Sequence, residues 1–504
     1  MMGYQPPPQD NLFSYGVSLD KRVRANHPLR KVEEVLDLEF TYEKVNDFYG
    51  YNGQVSVPPP VIVKLMLLLV LYNVRSEREL MATVPERLDW LWFLGYTLET
   101  SIPDHSVLSK ARRRWGPDLF KELFERVILQ CAEAGLVDGS KIFVDSSLVD
   151  ADASNNSVVD THSLRRHLNK SYRELEKRLA EVKDDEGAGP DQSSGGGVNK
   201  RYVSTTDPDA AIVRRGTSRL RYQFHRAVDP KAEVITATDV TAGDVNEAHR
   251  MVGLMDSHQD NTGVKAETVV ADSKYGTIEN LLACKDRGVR PHMPTLKDKT
   301  ANSSSRAGIF PETAFEYDES TDTYRCPGGK VLERKKVHLK RNSVDYGASR
   351  RDCASCELKP RCTRNRNGRT VKRHFRQQEL ETMLEVTRSS ASKRDIKTRQ
   401  HLMERSFGRG YRYGMKRARW RGLRWVTIQE YLTATVQNIE TLIRHGSHRL
   451  SPAVVCAAPD LKGGVHGGAE SIWSACLETK KHLASIRHWV AAQGMSHCTS
   501  KPSM

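Results

Sequence analysis

Apolar positions along this chain change their spacing twice, and the changes divide it. Up to about Gly116 they recur at helical intervals. Val32, Val35, Leu36 and Leu38 follow His27-Pro28-Leu29, and a nearly unbroken apolar run, Val61–Val74, follows Pro58–Pro60. Short segments Ser76–Met81, Arg87–Leu94 and Ser106–Trp115 come next. The pattern predicts a further helix over Asp118–Ala134, with Leu119, Leu123, Val127 and Ile128 on one stripe and Gly135 as its stop. Lys141–Val144 then reads as a short strand running straight into Asp145. Ser163–Val182 carries Leu164, Leu168, Tyr172, Leu175 and Leu179 at helical spacing, and the Gly/Ser/Asp-rich Asp184–Gly197 reads as a mobile linker.

From Arg221 the period becomes two. Tyr222–Val228 and Glu233–Val240 form a predicted hairpin turning at Asp229-Pro230-Lys231. Helix Asn246–Met255, strand Glu267–Ala271 leading to Asp272, helix Thr277–Arg287 closed by Gly288, and strand Val289–Met293 follow in order. If the first strand pairs with the hairpin, this order gives an α/β fold with a ribonuclease-H-like mixed sheet. Helical spacing resumes near Gln400 and includes Trp425–Arg444, striped by Trp425, Ile428, Leu432, Val436, Ile439 and Ile443. The expected division is an all-helical N-terminal domain over residues 1–135 and a first part of the core over 136–295, carrying a helix-and-linker insertion at 151–219. An inserted Cys-containing region follows over 296–399, then a last part of the core over 400–445 and a variable tail over 446–504.

Charge narrows the choice of partner. Among 504 residues, 78 Lys or Arg face 63 Asp or Glu, a net charge of +15 that favours a polyanion. The basic helix Ser106–Trp115 holds Lys110, Arg112, Arg113 and Arg114; it reads either as part of a helix-turn-helix-like DNA module or as a solvated face of a helical scaffold. Met1–Ser14 is polar and Pro-rich, so no signal peptide is expected, and Val61–Val74 is too short to span a bilayer. Nine scattered cysteines do not make a disulfide scaffold in a chain of this length, which points to the cytoplasm and away from a membrane.

Acids beside strands supply the candidate chemistry. Cutting and joining phosphodiesters requires hard cations, and carboxylates converging from separate elements are their natural ligands. Asp145 and Asp272 each follow an apolar strand, where an Asp alone is more often a cap or turn residue. Glu404 is the one acid among nine Lys or Arg between Arg399 and Arg424, a stretch interleaved with Phe407, Tyr411, Tyr413 and Trp420. Such interleaving suits a nucleic-acid surface, whereas a lone acid there could equally be an ion-pair partner. Glu430 is the rival acid, and Asp150 and Asp152 are substitutes for Asp145. His225, on the strand face opposite Tyr222, Phe224 and Arg226, reads as a structural histidine or one turned to the site.

Several ordered segments resemble DDE-type bacterial insertion-sequence transposases with an InsH-like helical N-terminal domain. They are HPLRKVEEVLDLEF, SERELMATVPERLDWLWFLG, IPDHSVLSKARRRWG, KIFVDSSLVDADAS, YQFHRAVDPKAEVITATDVTAGDVNEAH, VVADSKYGT and MERSFGRGYRYGMKRARWRG, spread over roughly residues 15–445. The resemblance implies a catalytic triad of Asp145, Asp272 and Glu404 and Mg²⁺ or Mn²⁺ as cofactor. It also implies cleavage at element ends followed by attack of the freed 3′-hydroxyl on target DNA. Double-stranded DNA is the implied partner, met by a homo-oligomer in a bacterial or archaeal cytoplasm, at the nucleoid. Arg405, Arg409, Arg412, Lys416, Arg417, Arg419 and Arg421 are the residues expected to meet the DNA. A nuclease that stops at hydrolysis and a zinc-stabilised DNA-binding regulator are the alternatives.

Four of the nine cysteines gather in the inserted region. Cys353-x2-Cys356 has metal-knuckle spacing, five residues intervene before Cys362, and Cys326-Pro-Gly-Gly offers a tight turn. Together they could bind structural Zn²⁺; free thiols are the alternative, because a single CxxC is less specific than two.

Overall fold

The computed structural model describes residues 1–5, 18–50, 52–161, 199, 201–296 and 308–446. The expected helix Ser163–Val182, the linker after it and the tail beyond residue 446 lie outside them. Met1–Leu450 is one unit, assembled from an N-terminal layer of helices and a mixed sheet with helices on both faces.

The apolar run after Pro58 forms a helix, Pro59–Leu71, in which every residue from Pro59 to Val70 is buried. Proline suits its first turn because the missing N–H would have had no intrahelical partner. Lys64 is tolerated inside because Glu33 takes its ammonium at 2.6 Å. The basic segment is a helix over Ser106–Trp115 as expected, and Asp118–Glu133 buries Leu119, Phe120, Leu123, Phe124, Val127, Ile128 and Cys131 on one stripe. These helices do not keep their core to themselves. Leu65, Leu69, Leu123 and Val127 share it with Ile428, Leu432, Val436 and Ile439 of the helix Leu423–Gly446. Each such side chain fully buried contributes about 1.5–3 kcal/mol, so the N-terminal helices and the helix Leu423–Gly446 hold one another.

Six strands build the central sheet: β1 (Lys141–Asp150), β2 (Thr217–Asp229), β3 (Val234–Ala242), β4 (Thr268–Val270), β5 (Arg290–His292) and one short strand before β2. Their spatial order is β3-β2-β1-β4-β5, and a short strand, Ala211–Arg215, continues beside the start of β2. β1 is antiparallel to β2, with Asp145 opposite Arg226, and parallel to β4, with Phe143 opposite Val270. The first strand therefore does pair with the hairpin. On one face Phe143, Val149, Tyr222 and Phe224 pack against Leu402, Met403 and Phe407; on the other, Ile142, Val144 and Ala227 pack against Met251, Leu254, Leu281 and Met383. At the β3 edge, Asn438 replaces a missing strand: its amide accepts from the Ile235 N–H at 2.9 Å and donates to the Ile235 carbonyl at 2.8 Å.

Several boundaries differ from the expectation. β1 runs on through the polar Ser146–Asp150, because β2 supplies its hydrogen-bond partners as far as Arg221 whatever the side-chain pattern. Asp145 thus sits within a strand, while Asp272 stands two residues past the end of β4. The helix expected at Asn246–Met255 is a 3₁₀ turn, Glu247–Arg250, followed by Met251–Thr262. Residues expected to end the insertion form two core helices, Gln377–Arg388 and Ser390–Arg412. Their apolar stripes are narrow (Leu380 and Met383 in the first), which hides them from a periodicity reading. The Cys-containing segment before them is a separate antiparallel sheet of five strands between Glu316 and His374. No helix among the described residues is long and apolar enough to cross a membrane.

Candidate metal centre and nucleic-acid face

Continuing the parallel register of β1 and β4 by two residues brings Asp145 level with Asp272. Asp272 caps its own turn, its Oδ1 accepting the Lys274 N–H at 2.8 Å. Asp145 uses Oδ1 for the Ser146 N–H at 2.8 Å and Oδ2 for the Arg399 guanidinium at 2.5 Å. Burial pushes the Asp145 carboxyl up to about 6; Arg399 opposes the rise, and the charges of Asp272 and Glu247 add to it. The Tyr275 hydroxyl, buried in the same neighbourhood, has no well-formed hydrogen-bond partner. Crowded hard oxygen donors and an orphaned hydroxyl fit a divalent cation in chemical type. Among the described residues, however, no three His, Cys, Asp or Glu stand in a ligating arrangement.

The helix Ser390–Arg412 lies across this end of the sheet and is anchored twice. Asp395 takes the Lys141 ammonium at 3.0 Å and a ring nitrogen of His292 at 2.6 Å, and Arg399 reaches Asp145. Glu404 follows Arg399 by five residues, which at 3.6 residues per turn places it about 140° round the helix. It is exposed, and the hydrogen bond described for it comes from Gln400 at 3.4 Å. The structure thus brings Asp145 and Asp272 together and leaves Glu404 on the solvent side of a helix that touches one of them.

The rival acids are occupied. Glu430 is fully buried and takes Arg226 through both oxygens, at 2.5 and 2.9 Å, while Thr238 donates to it at 3.0 Å. Asp150 holds Arg219 and Arg221 at 2.7 and 2.8 Å, and Asp152 holds Arg417 and Arg421 at 2.8 and 3.3 Å. His225 is buried against Thr241, 2.9 Å from its hydroxyl; burial, helped by the Arg250 charge, pushes its ring down to about 3. It has the character of a structural histidine.

The basic stretch splits in two. Arg419 is turned inward, onto Asn73 at 2.6 Å, the Tyr413 carbonyl at 3.2 Å and the Val74 carbonyl, where it ties the core to the N-terminal helices. Arg409 is mostly buried on Glu233 at 3.1 Å. Arg405 also pairs with Glu233, but from an exposed position. Arg412, Lys416, Arg417 and Arg421 are exposed, and the Lys416 ammonium stands 5.3 Å over the Tyr411 ring. Arg112 of the basic N-terminal helix is likewise structural: buried, paired with Glu77 and stacked 4.0 Å over Trp420.

Cys326, Cys353, Cys356 and Cys362 line one cavity of about 30 Å³ in the small sheet. None of the four is in a disulfide. Burial raises the Cys362 thiol; Arg369 opposes this and the three other sulfurs reinforce it.

Two residues at this site escape a reading of the sequence. Arg399 there is one more cation of the basic stretch, and nothing in the spacing marks it as the partner of Asp145. Glu247 lies in the segment TAGDVNEAH, whose polar composition suggests only a turn.

Residues 17–114 match a family model described as a transposase domain (DUF772), and residues 325–443 match one described as a transposase DDE domain. The first spans the helical N-terminal layer. The second runs from the cysteine lobe through Glu404 into the last helix, and Asp145 and Asp272 lie between the two. No curated protein matches the chain.

Proposed function

We propose that this chain, which matches transposase-domain and DDE-domain models at residues 17–114 and 325–443, is a DDE transposase of an insertion sequence that cuts DNA at the ends of its element and joins the freed 3′ ends to target DNA. Asp145, Asp272 and Glu404 are the acids that hold divalent metal for this reaction. The observation that carries the reading is the pair of aspartates brought level by adjacent parallel strands, one of them half-buried with its carboxyl pushed up to about 6. Such a pair is costly without a cation and stable with one. The strand order β3-β2-β1-β4-β5, in which β2 alone runs antiparallel to the other four, supports a ribonuclease-H-like core.

Mg²⁺ or Mn²⁺, when bound, activates the attacking oxygen and neutralises the leaving one. The chain's own residues do the rest. β1 and the turn after β4 fix the aspartates, Arg399 balances Asp145, and Glu404 approaches from the solvent side, where DNA arrives. Arg405, Arg412, Lys416, Arg417 and Arg421 face the phosphates, while Arg409 and Arg419 hold the scaffold that presents them. The enzyme works as a homo-oligomer on DNA, as two element ends must be brought together. The four cysteines hold a structural zinc, and protein purified without chelators is expected to carry about one Zn²⁺ per chain; a metal-free protein of unchanged stability would return them to free thiols.

The test is to incubate purified protein with DNA carrying the cognate ends, in Mg²⁺ or EDTA, and to map the product strands. Nicks at the ends and joined products, both dependent on Mg²⁺, are expected. Hydrolysis without joining would make the protein a nuclease, and no cleavage with any divalent ion would make it a DNA-binding regulator.

A further inference from the structure

A buried carboxylate stands beside the two half-buried aspartates and has no part in the reading above. Glu247 opens the 3₁₀ turn that follows β3, and Asn246 caps that turn through the Ala248 N–H at 3.1 Å. Its two oxygens are divided between the two aspartate-bearing segments. Oε2 accepts from the Ser146 hydroxyl and from Gln223 Nε2 at 3.2 Å; Ser146 follows Asp145 directly in β1. Oε1 takes the Lys274 ammonium at 2.5 Å, and Lys274 lies two residues past Asp272.

Lys274 is the consequential partner. The charges of both Glu247 and Asp272 act on its ammonium, and its side chain is 64% exposed. An ammonium on a flexible four-carbon stem takes whichever anion is nearest. Released from Glu247, it would turn to Asp272 and occupy oxygens that a cation needs.

We infer that Glu247 is a positioning residue that holds the Lys274 ammonium away from Asp272 and steadies β1 beside Asp145 through Ser146, keeping the site open to a divalent cation. This rests on the reading of Asp145 and Asp272 as metal ligands. Glu247→Gln keeps the shape and a hydrogen-bonding oxygen for Ser146 but releases Lys274. In the full-length protein without DNA, Mn²⁺ binding followed by the loss of the free-ion EPR signal should weaken about tenfold or more. The double variant Glu247→Gln/Lys274→Met should recover most of that loss, because no ammonium is left to compete. A purely structural role would lower the melting temperature of Glu247→Gln without this pattern of loss and recovery. Wild-type Mn²⁺ affinity in Glu247→Gln, or a double variant as weak as the single one, would overturn the inference. Asp145→Asn separates the two levels: its loss of Mn²⁺ binding upholds the ligand reading, whereas retained binding would overturn that reading and the role of Glu247 with it.

Discussion

Asp145 and Glu430 are two acids approached by one sheet face, and they are served very differently. Arg226, opposite Asp145 across the β1–β2 pairing, gives its guanidinium to Glu430 and not to Asp145. Glu430 has both oxygens paired and a hydroxyl besides, with neither partner exposed to solvent. Asp145 has one guanidinium on one oxygen, borrowed from a different helix, and two further acids nearby. A buried acid with complete pairing is part of the frame, whereas one left short of positive charge is poised for a cation. By that contrast Glu430 belongs to the frame and the aspartate pair stands out.

The largest effect expected from this contrast is on stability. Glu430→Ala leaves Arg226 buried and unpaired and should cost about 3–5 kcal/mol in equilibrium denaturation. Asp145→Asn removes a charge that burial disfavours, so its stability should equal or exceed that of the wild type. Equal losses in the two variants would erase the distinction.

A smaller effect comes from His225, on the other face of β2. Its folded value of about 3 lies below the ordinary histidine value, so the unfolded chain takes up a proton that the folded one refuses. Stability should therefore be intact above about pH 6.5 and fall as the pH drops toward 3, by at most about 1.4 kcal/mol per unit. His225→Gln should flatten that part of the curve of melting temperature against pH. An unchanged slope would show that His225 does not titrate as its burial implies.

Smallest per residue is the contribution of the exposed cations. Neutralising Arg412, Lys416, Arg417 and Arg421 together should lower the salt slope of DNA binding by about one unit for each phosphate left without its cation, across sequences alike. Arg419, turned inward, should instead register as lost stability. If the four-residue variant binds as the wild type does, these side chains are solvated surface.

How far the sequence discloses all this depends on what each feature needs. The alternation from Tyr222 onward and the Gly288 stop mark the hairpin and the helix before β5 because local pattern determines them. The extension of β1 to Asp150 is hidden, since Ser146 and Ser147 give no apolar alternation and the pairing comes from β2. Asp145 and Asp272 are legible as acids beside strands, yet their being level follows from the register. Arg399 on Asp145, Arg226 on Glu430 and the inward turn of Arg419 join residues up to 346 positions apart, beyond the reach of spacing. The shared core of N-terminal helices and last helix is hidden for the same reason.

Glu404 carries the central claim, because it is the member of the proposed triad that the structure leaves apart from the others. The direct measurement is Mg²⁺-dependent strand cleavage of DNA bearing the cognate ends by Glu404→Gln, beside a binding titration of the same protein. Cleavage should collapse while DNA affinity persists or tightens, since an acid is removed from a cationic surface that is otherwise intact. Full cleavage by Glu404→Gln would contradict its place beside Asp145 and Asp272.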